Sequence, residues 1–328
     1  MLLLSEPDLR AVLSMRDVID AVESGFRSLA LGNVKIPERL TLSLPSQQAV
    51  LLEMPASADL NGTAALGTKI VSVFQNNPTR GLETVQAAYV LLDGETGAPL
   101  SLMDGRFLTG IRTAATSAVA TKYLSNGGAK RLAIFGAGVQ AQFHIQAMFE
   151  VAEISDVMII SRTLEKARAL IEQVSKEYKV ECVHAEVDEA AAKADLICTC
   201  TSSTLPLFKG ALIKPGAHIN AIGAFTPSTR ELDSETVRRA RVFIDADSAA
   251  GREAGELLIP FSEGVIESTH IKGSLADLVS RKVLGRKSES DITVFKSCGL
   301  AVEDLVTARL AYERASTKGI GVSFRLSD

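Results

Sequence analysis

The stretch Gly136-Ala-Gly138-Val-Gln-Ala141 constrains this chain more than any other feature. It follows an apolar run, Leu132-Ala-Ile-Phe135, and opens a helix-patterned segment over 139–151. In such a strand–turn–helix, Gly136 permits the tight turn and Gly138 lets backbone N–H groups approach a pyrophosphate. Ala141 is small enough for the helix to lie close on the sheet. The helix N-terminus then supplies partial positive charge for phosphate oxygens. The spacing alone is common, but the strand before, the helix after and a further strand at 157–160 give it the setting a dinucleotide site needs. That next strand ends Ile160-Ser161-Arg162-Thr163, with no carboxylate where a ribose 2′-hydroxyl is usually read. A guanidinium beside a hydroxyl pairs instead with a 2′-phosphate, so NADPH is the expected cofactor and NADH the second choice. The bland alternative is an Arg162 that is only a solvated loop residue.

The same rhythm continues downstream. Apolar runs at 181–184, 196–200, 218–222 and 242–245, with a helical stretch at 164–178, predict an α/β domain over 121–304: a Rossmann-type, doubly wound parallel sheet. A core with no Trp and 5% aromatics must be built from Ala, Val, Leu and Ile, which suits buried parallel strands. At 328 residues the chain is too long for one such core. Its first part reads differently. Two helices are expected to open it, one capped by Ser5 with Asp8, the next carrying Met15, Val18, Ile19, Val22, Phe26 and Leu29 and stopped by Gly32. Short strands follow at 40–44, 49–54, 68–74 and 87–92, separated by turn residues. Residues 1–120 therefore read as an α+β substrate and dimerisation domain with a mostly antiparallel sheet. A small-residue helix at 113–124 leads out of it, and the C-terminal helix, within 305–328, returns to complete it.

Several function classes are excluded. A net charge of -4 gives no reason to expect nucleic acid or an anionic membrane surface as partner. The first residues lack a basic region, and no segment approaches the ~18 apolar residues of a membrane span, so a cytoplasmic protein is expected. Cys182, Cys198, Cys200 and Cys298 form no CxxC pair and read as reduced thiols. His144, His184 and His218 have no metal-ligand spacing and read as structural; no metal is expected.

Three cations stand among apolar strands and helices: Arg39, Lys69 in Gly67-Thr-Lys-Ile-Val, and Arg112 in Leu108-Thr-Gly-Ile-Arg-Thr-Ala-Ala. An ammonium buried without a partner costs several kcal/mol, so Lys69 needs either a structural carboxylate, Glu53 or Asp104, or an anionic ligand. The residues alone leave both readings open.

Taken in order along the chain, Leu52-Glu-Met-Pro55, Gly67-Thr-Lys69, Gly81-Leu-Glu-Thr84, Arg112-Thr-Ala-Ala and the Gly136 loop already form a recognisable series. His218-Ile-Asn-Ala-Ile-Gly223, Arg230-Glu-Leu-Asp233 and Thr293-Val-Phe-Lys-Ser297-Cys-Gly-Leu-Ala301 extend it. The chain thereby resembles the ornithine cyclodeaminase/μ-crystallin family over nearly its whole length. The resemblance implies a homodimer formed through the N-terminal sheets. It also implies a pocket in which Lys69 and Arg112 are catalytic and Arg39, Glu53, Thr84 and Phe225 complete the substrate contacts, with Glu53 alternatively neutralising Lys69. The implied cofactor contacts are Thr113, Gly136, Ala137, Gly138, Val139, Gln140, Ser161, Arg162, Thr201, Ile222, Gly223, Ala224 and Ser297. Cyclodeaminases of the family resemble this chain except at Phe225, where they carry an Asp that handles a second amino group; a Phe cannot. Members with a similar Gly-[AS]-Phe-x-Pro segment look like cyclic ketimine reductases. The resemblance thus implies reduction of Δ1-pyrroline-2-carboxylate to L-proline, with the six-membered imine giving L-pipecolate as a second reaction. An ornithine cyclodeaminase, an alanine or other amino-acid dehydrogenase, and a non-catalytic crystallin-like NADP-binding protein are the alternatives.

Overall fold

Eight segments of the middle of the chain, the central ones apolar enough to be buried on both faces, form one all-parallel sheet. In the computed structural model, which describes residues 1–60, 62–246 and 251–326, the order across this sheet begins Glu181–His184, Ile154–Ile160, Lys130–Phe135, Leu196–Thr199. It continues His218–Ala221, Ile292–Lys296, Ala240–Ile244, Ile271–Ser274. Leu132, Ala133 and Ile134 are fully buried, as both faces of a covered parallel sheet require. Helices Val139–Val151 and Leu164–Tyr178 occupy the spans that their periodicity predicts. The strand order reverses between Lys130–Phe135 and Leu196–Thr199, so the loops leaving these two strands flank the switch point where such sheets take their ligands.

Two strands of this sheet have no counterpart in the sequence pattern. Ile271-Lys-Gly-Ser is an edge strand with a single apolar residue. Ile292–Lys296 ends in a lysine that is completely buried, which an apolar pattern does not anticipate.

This sheet belongs to a compact unit formed by Ala114–Gly299; the other unit is Met1–Thr113 with the segment from Leu300 onward. The helix Gly105–Leu124 runs from one unit into the other and begins earlier than its small-residue pattern suggests.

The first unit is built on a mostly antiparallel sheet. Its order is Val322–Ser323, Leu2–Leu4, Pro99–Asp104, Val85–Asp93, Ala64–Phe74, Ala49–Asp59 and Val34–Lys35, with Leu40–Leu44 also paired to Ala49–Asp59. The chain thus opens on a strand, Leu2–Leu4, and not on a helix; that strand lies parallel to Pro99–Asp104. The capping box of Ser5 and Asp8 and the helix Met15–Ala30 are present. The C-terminal helix Ala301–Lys318 packs on strands Ala49–Asp59 and Ala64–Phe74 and on the helix Met15–Ala30. Contact between the two helices is close at Gly25, where a β-carbon would stand 3.0 Å from Val306.

Candidate active site

Strand parity decides which side chains of the first unit meet. Lys69 pairs across the sheet with Met54 on one side and Tyr89 on the other. Lys69, Met54 and Tyr89 are all buried, on the face that the C-terminal helix covers. Glu53 pairs with Ile70, which is 43% exposed, so it lies on the opposite face. Glu53 therefore neither neutralises Lys69 nor shares its cluster. Asp104 is not the partner either: its carboxylate accepts from the Phe107 backbone N–H at 2.7 Å and pairs with Arg106.

The partner comes from the far end of the chain. The Lys69 ammonium donates to both carboxylate oxygens of Asp304, at 2.9 and 2.8 Å. Arg112 donates through Nε to Asp304 at 2.9 Å and through Nη1 to Glu303 at 2.5 Å. Both acids sit in the first turn of helix Ala301–Lys318, where the helix dipole favours negative charge. Glu303 uses its other oxygen to accept the Leu300 N–H at 3.1 Å. Burial, and the neighbouring Arg112 charge, pull the Lys69 ammonium down to about 8, partly offset by Asp304 and Glu303. For Arg112, burial opposes the charge but the two carboxylates outweigh it, and the guanidinium is held above its usual range. The Tyr89 hydroxyl is buried with no hydrogen-bond partner, and burial together with Asp304 pushes its ionisation well upward.

The other expected substrate contacts are more open. Arg39 is half-buried just before strand Leu40–Leu44, and Thr84 is half-buried just before Val85–Asp93, its carbonyl accepting from the Phe74 N–H at 2.8 Å. Phe225, in the second unit, leaves 36% of its surface exposed in the loop after strand His218–Ala221.

In the second unit the nucleotide loop has the geometry its sequence implies. Gly136 has φ +117°, and a β-carbon there would stand 2.5 Å from the Cys200 carbonyl oxygen. Gly138 caps helix Val139–Val151 in extended backbone, and a β-carbon there would meet nothing within 4 Å. Ala137 lies between them, Val139 is exposed, and Gln140 has a buried side-chain oxygen without a partner. An open cradle in front of a helix N-terminus fits a pyrophosphate. Ser161 accepts from the Thr163 N–H at 3.2 Å, and Arg162 is exposed beside it.

The loops at the carboxyl ends of the neighbouring strands are tied by groups that no sequence motif assigns. Glu231 is fully buried: one oxygen accepts the N–H and hydroxyl of Thr201 at 2.8 and 2.6 Å. Its other oxygen accepts the Thr199 hydroxyl at 2.6 Å and the Gly223 N–H at 2.7 Å. Burial nevertheless pushes its carboxyl upward. Lys296 bonds the carbonyls of Ala221 and Ala224 and pairs with Glu256 at 3.2 Å, which bounds the turn holding Ile222 and Gly223. Asp245 accepts from the Ser297 hydroxyl and from the N–H groups of Cys298 and Gly299. Thr113, the last residue of the first unit, is buried within its helix. His144 and His218 are completely buried, with hydrogen bonds to Ser117 and Thr293. Burial pulls them down to about 4 and about 3, so both are neutral.

Residues 1–319 match the model of the ornithine cyclodeaminase/mu-crystallin family. The chain is 38% identical over 323 residues to a Delta(1)-pyrroline-2-carboxylate reductase of Bacillus cereus, covering 98% of each chain. A solved structure of the Thermococcus litoralis Delta(1)-pyrroline-2-carboxylate reductase in complex with NADH and L-proline is 40% identical, with a TM-score of 0.95. The match covers 99% of this chain and 100% of that one. An archaeal alanine dehydrogenase dimer with bound NAD is 31% identical, with a TM-score of 0.93 over 100% of this chain and 99% of that one.

Proposed function

This chain belongs to the ornithine cyclodeaminase/mu-crystallin family, and we propose that it reduces the cyclic imino acid Δ1-pyrroline-2-carboxylate to L-proline, with Δ1-piperideine-2-carboxylate as a second substrate. The observation that carries this reading is that two buried cations, Lys69 of the first sheet and Arg112 of helix Gly105–Leu124, are brought together on the carboxylate of Asp304. The relatives named above for the same reaction support it.

The protein is an oxidoreductase acting on a C=N bond. The reduced nicotinamide, when bound, supplies the hydride that the imine carbon C2 takes up. Arg112 and Arg39 grip the substrate carboxylate, and a planar guanidinium fixes both its position and its orientation. Lys69 donates an N–H to the imine nitrogen, which gains a proton as C2 gains the hydride, leaving a secondary amine. An ammonium lowered to about 8 gives up that proton more readily than an ordinary lysine. Phe225 offers the apolar ring a surface and has no group for a second amine, which disfavours cyclodeamination. Gly136 to Gln140 seat the pyrophosphate, and the turn at Ile222, Gly223 and Ala224, with Thr113, Thr201 and Ser297, meets the rest of the nucleotide. Incubation with reduced cofactor and each cyclic imine, and with NAD and ornithine or alanine, separates the readings. Cofactor oxidation by the imine is expected; turnover of ornithine or alanine alone would replace this assignment.

Ser161 and Arg162 support a preference for NADPH with NADH accepted. Replacing Arg162 with Asp is expected to lower the NADPH:NADH ratio of kcat/KM by at least about 10-fold. An unchanged ratio means that Arg162 does not read the phosphate.

The outer face of the first sheet supports a homodimer. Leu40, Leu42, Ile70 and Leu102 are 55%, 51%, 43% and 38% exposed, an apolar surface that a second copy would cover. Ile70→Asp is expected to shift the species seen by analytical ultracentrifugation from dimer to monomer; an unmoved distribution places the interface elsewhere. A cytosolic setting fits the four cysteines, which form no disulfide.

A further inference from the structure

We propose that Asp304 is a positioning residue of the reaction, which aims the Lys69 ammonium by anchoring it on both oxygens of its carboxylate and fixes Arg112 beside it. This rests on the imine-reductase reading and goes beyond it, because it assigns a role to a residue of the C-terminal helix.

The geometry is specific. The ammonium nitrogen lies 2.9 and 2.8 Å from the two oxygens of Asp304, so one carboxylate anchors it on one side. The donor capacity left over is directed away from the carboxylate. The same carboxylate takes Arg112 Nε at 2.9 Å, so one side chain fixes both cations. None of the three has solvent to replace a lost partner: Lys69 is 1% exposed, Arg112 5% and Asp304 0%.

Ionisable groups face Lys69 from three of the elements packed around it. Tyr89 faces it from strand Val85–Asp93, Arg112 from helix Gly105–Leu124, and Glu303 and Asp304 from helix Ala301–Lys318. Tyr89 stays neutral, because its ionisation is pushed well upward. Two cations therefore meet two carboxylates. Removing the Asp304 charge leaves Lys69 beside Arg112 in a dry site, and both burial and like-charge repulsion then favour a neutral amine. With an anion at 304 the lysine keeps its proton up to about pH 8; without it the proton is given up at lower pH.

The test follows the Lys69 side chain directly, by NMR titration of protein carrying isotope-labelled lysine, with the resonance assigned by its loss in Lys69→Arg. In Asp304→Asn the titration midpoint is expected to fall by at least about one pH unit, and the alkaline limb of kcat with it. Asp304→Glu keeps every charge and is the variant to use if Asp304→Asn does not fold. Its longer carboxylate displaces the ammonium, so kcat is expected to fall by at least about 10-fold while KM for the imine and Kd for NADPH change less than about threefold. A merely structural role would lower Tm and leave both the midpoint and kcat per folded molecule in place. An unmoved midpoint in Asp304→Asn, or kcat within about twofold of wild type in Asp304→Glu, overturns the assignment. Wild-type turnover of the imine is measured in parallel. Its absence would sink the imine-reductase reading, whereas the ammonium titration in the ligand-free protein tests Asp304 by itself.

Discussion

Gly138→Val is expected to leave the protein folded, with Tm within about 2 °C of wild type, while nucleotide affinity falls by at least about 100-fold, roughly 3 kcal/mol. The backbone at Gly138 has φ −98° and ψ −167°, which any residue adopts, and a β-carbon there would touch no protein atom within 4 Å. The space it would fill lies in front of the first turn of helix Val139–Val151, where N–H groups have no intrahelical partner. Gly136→Val should behave oppositely. Its φ of +117° costs a branched residue about 1–3 kcal/mol, and its β-carbon would press on the Cys200 carbonyl at 2.5 Å. That variant should lose stability as well as binding. Titration calorimetry with NADPH and thermal denaturation of both variants check the contrast; normal affinity in Gly138→Val would move the pyrophosphate elsewhere.

Lys69→Met should reduce kcat/KM for the imine by about 10³-fold, the scale of a lost proton donor. NADPH affinity should stay within about twofold, since the nucleotide loop belongs to the other unit. The variant should also lose about 3–5 kcal/mol of stability in urea, because Asp304 and Glu303 are then two buried carboxylates facing one guanidinium. Lys69→Arg restores the charge and should recover most of the stability while remaining poorly active. A Lys69→Met protein that is destabilised yet turns over normally would make the cluster purely structural.

What the sequence disclosed follows from how local each feature is. The nucleotide loop is written in six consecutive residues, and its helix and neighbouring strands lie within a few turns of chain, so their periodicities were readable. The spans 139–151 and 164–178 needed no adjustment. The charge cluster is the reverse case. Lys69 and Asp304 are 235 positions apart, and an Asp after a Glu in a helix's first turn looks like ordinary dipole complementation. The separation of Glu53 from Lys69 was hidden for a different reason. Its face relative to Lys69 depends on the register of two strands that run longer than their apolar cores suggest, Ala49–Asp59 and Ala64–Phe74. A slip of one residue in register would turn the side chain to the other face. Lys296 and Glu231 were visible as residues but not as roles, because a buried ion declares itself only once its partners have been brought together.

The most direct test of imine reduction is transfer of deuterium from NADPH dideuterated at nicotinamide C4 to Δ1-pyrroline-2-carboxylate. L-Proline carrying one deuteron at C2 is expected, formed in the same amount as cofactor oxidised. Proline without deuterium, or cofactor left unoxidised while ornithine or alanine is consumed with NAD, would contradict it.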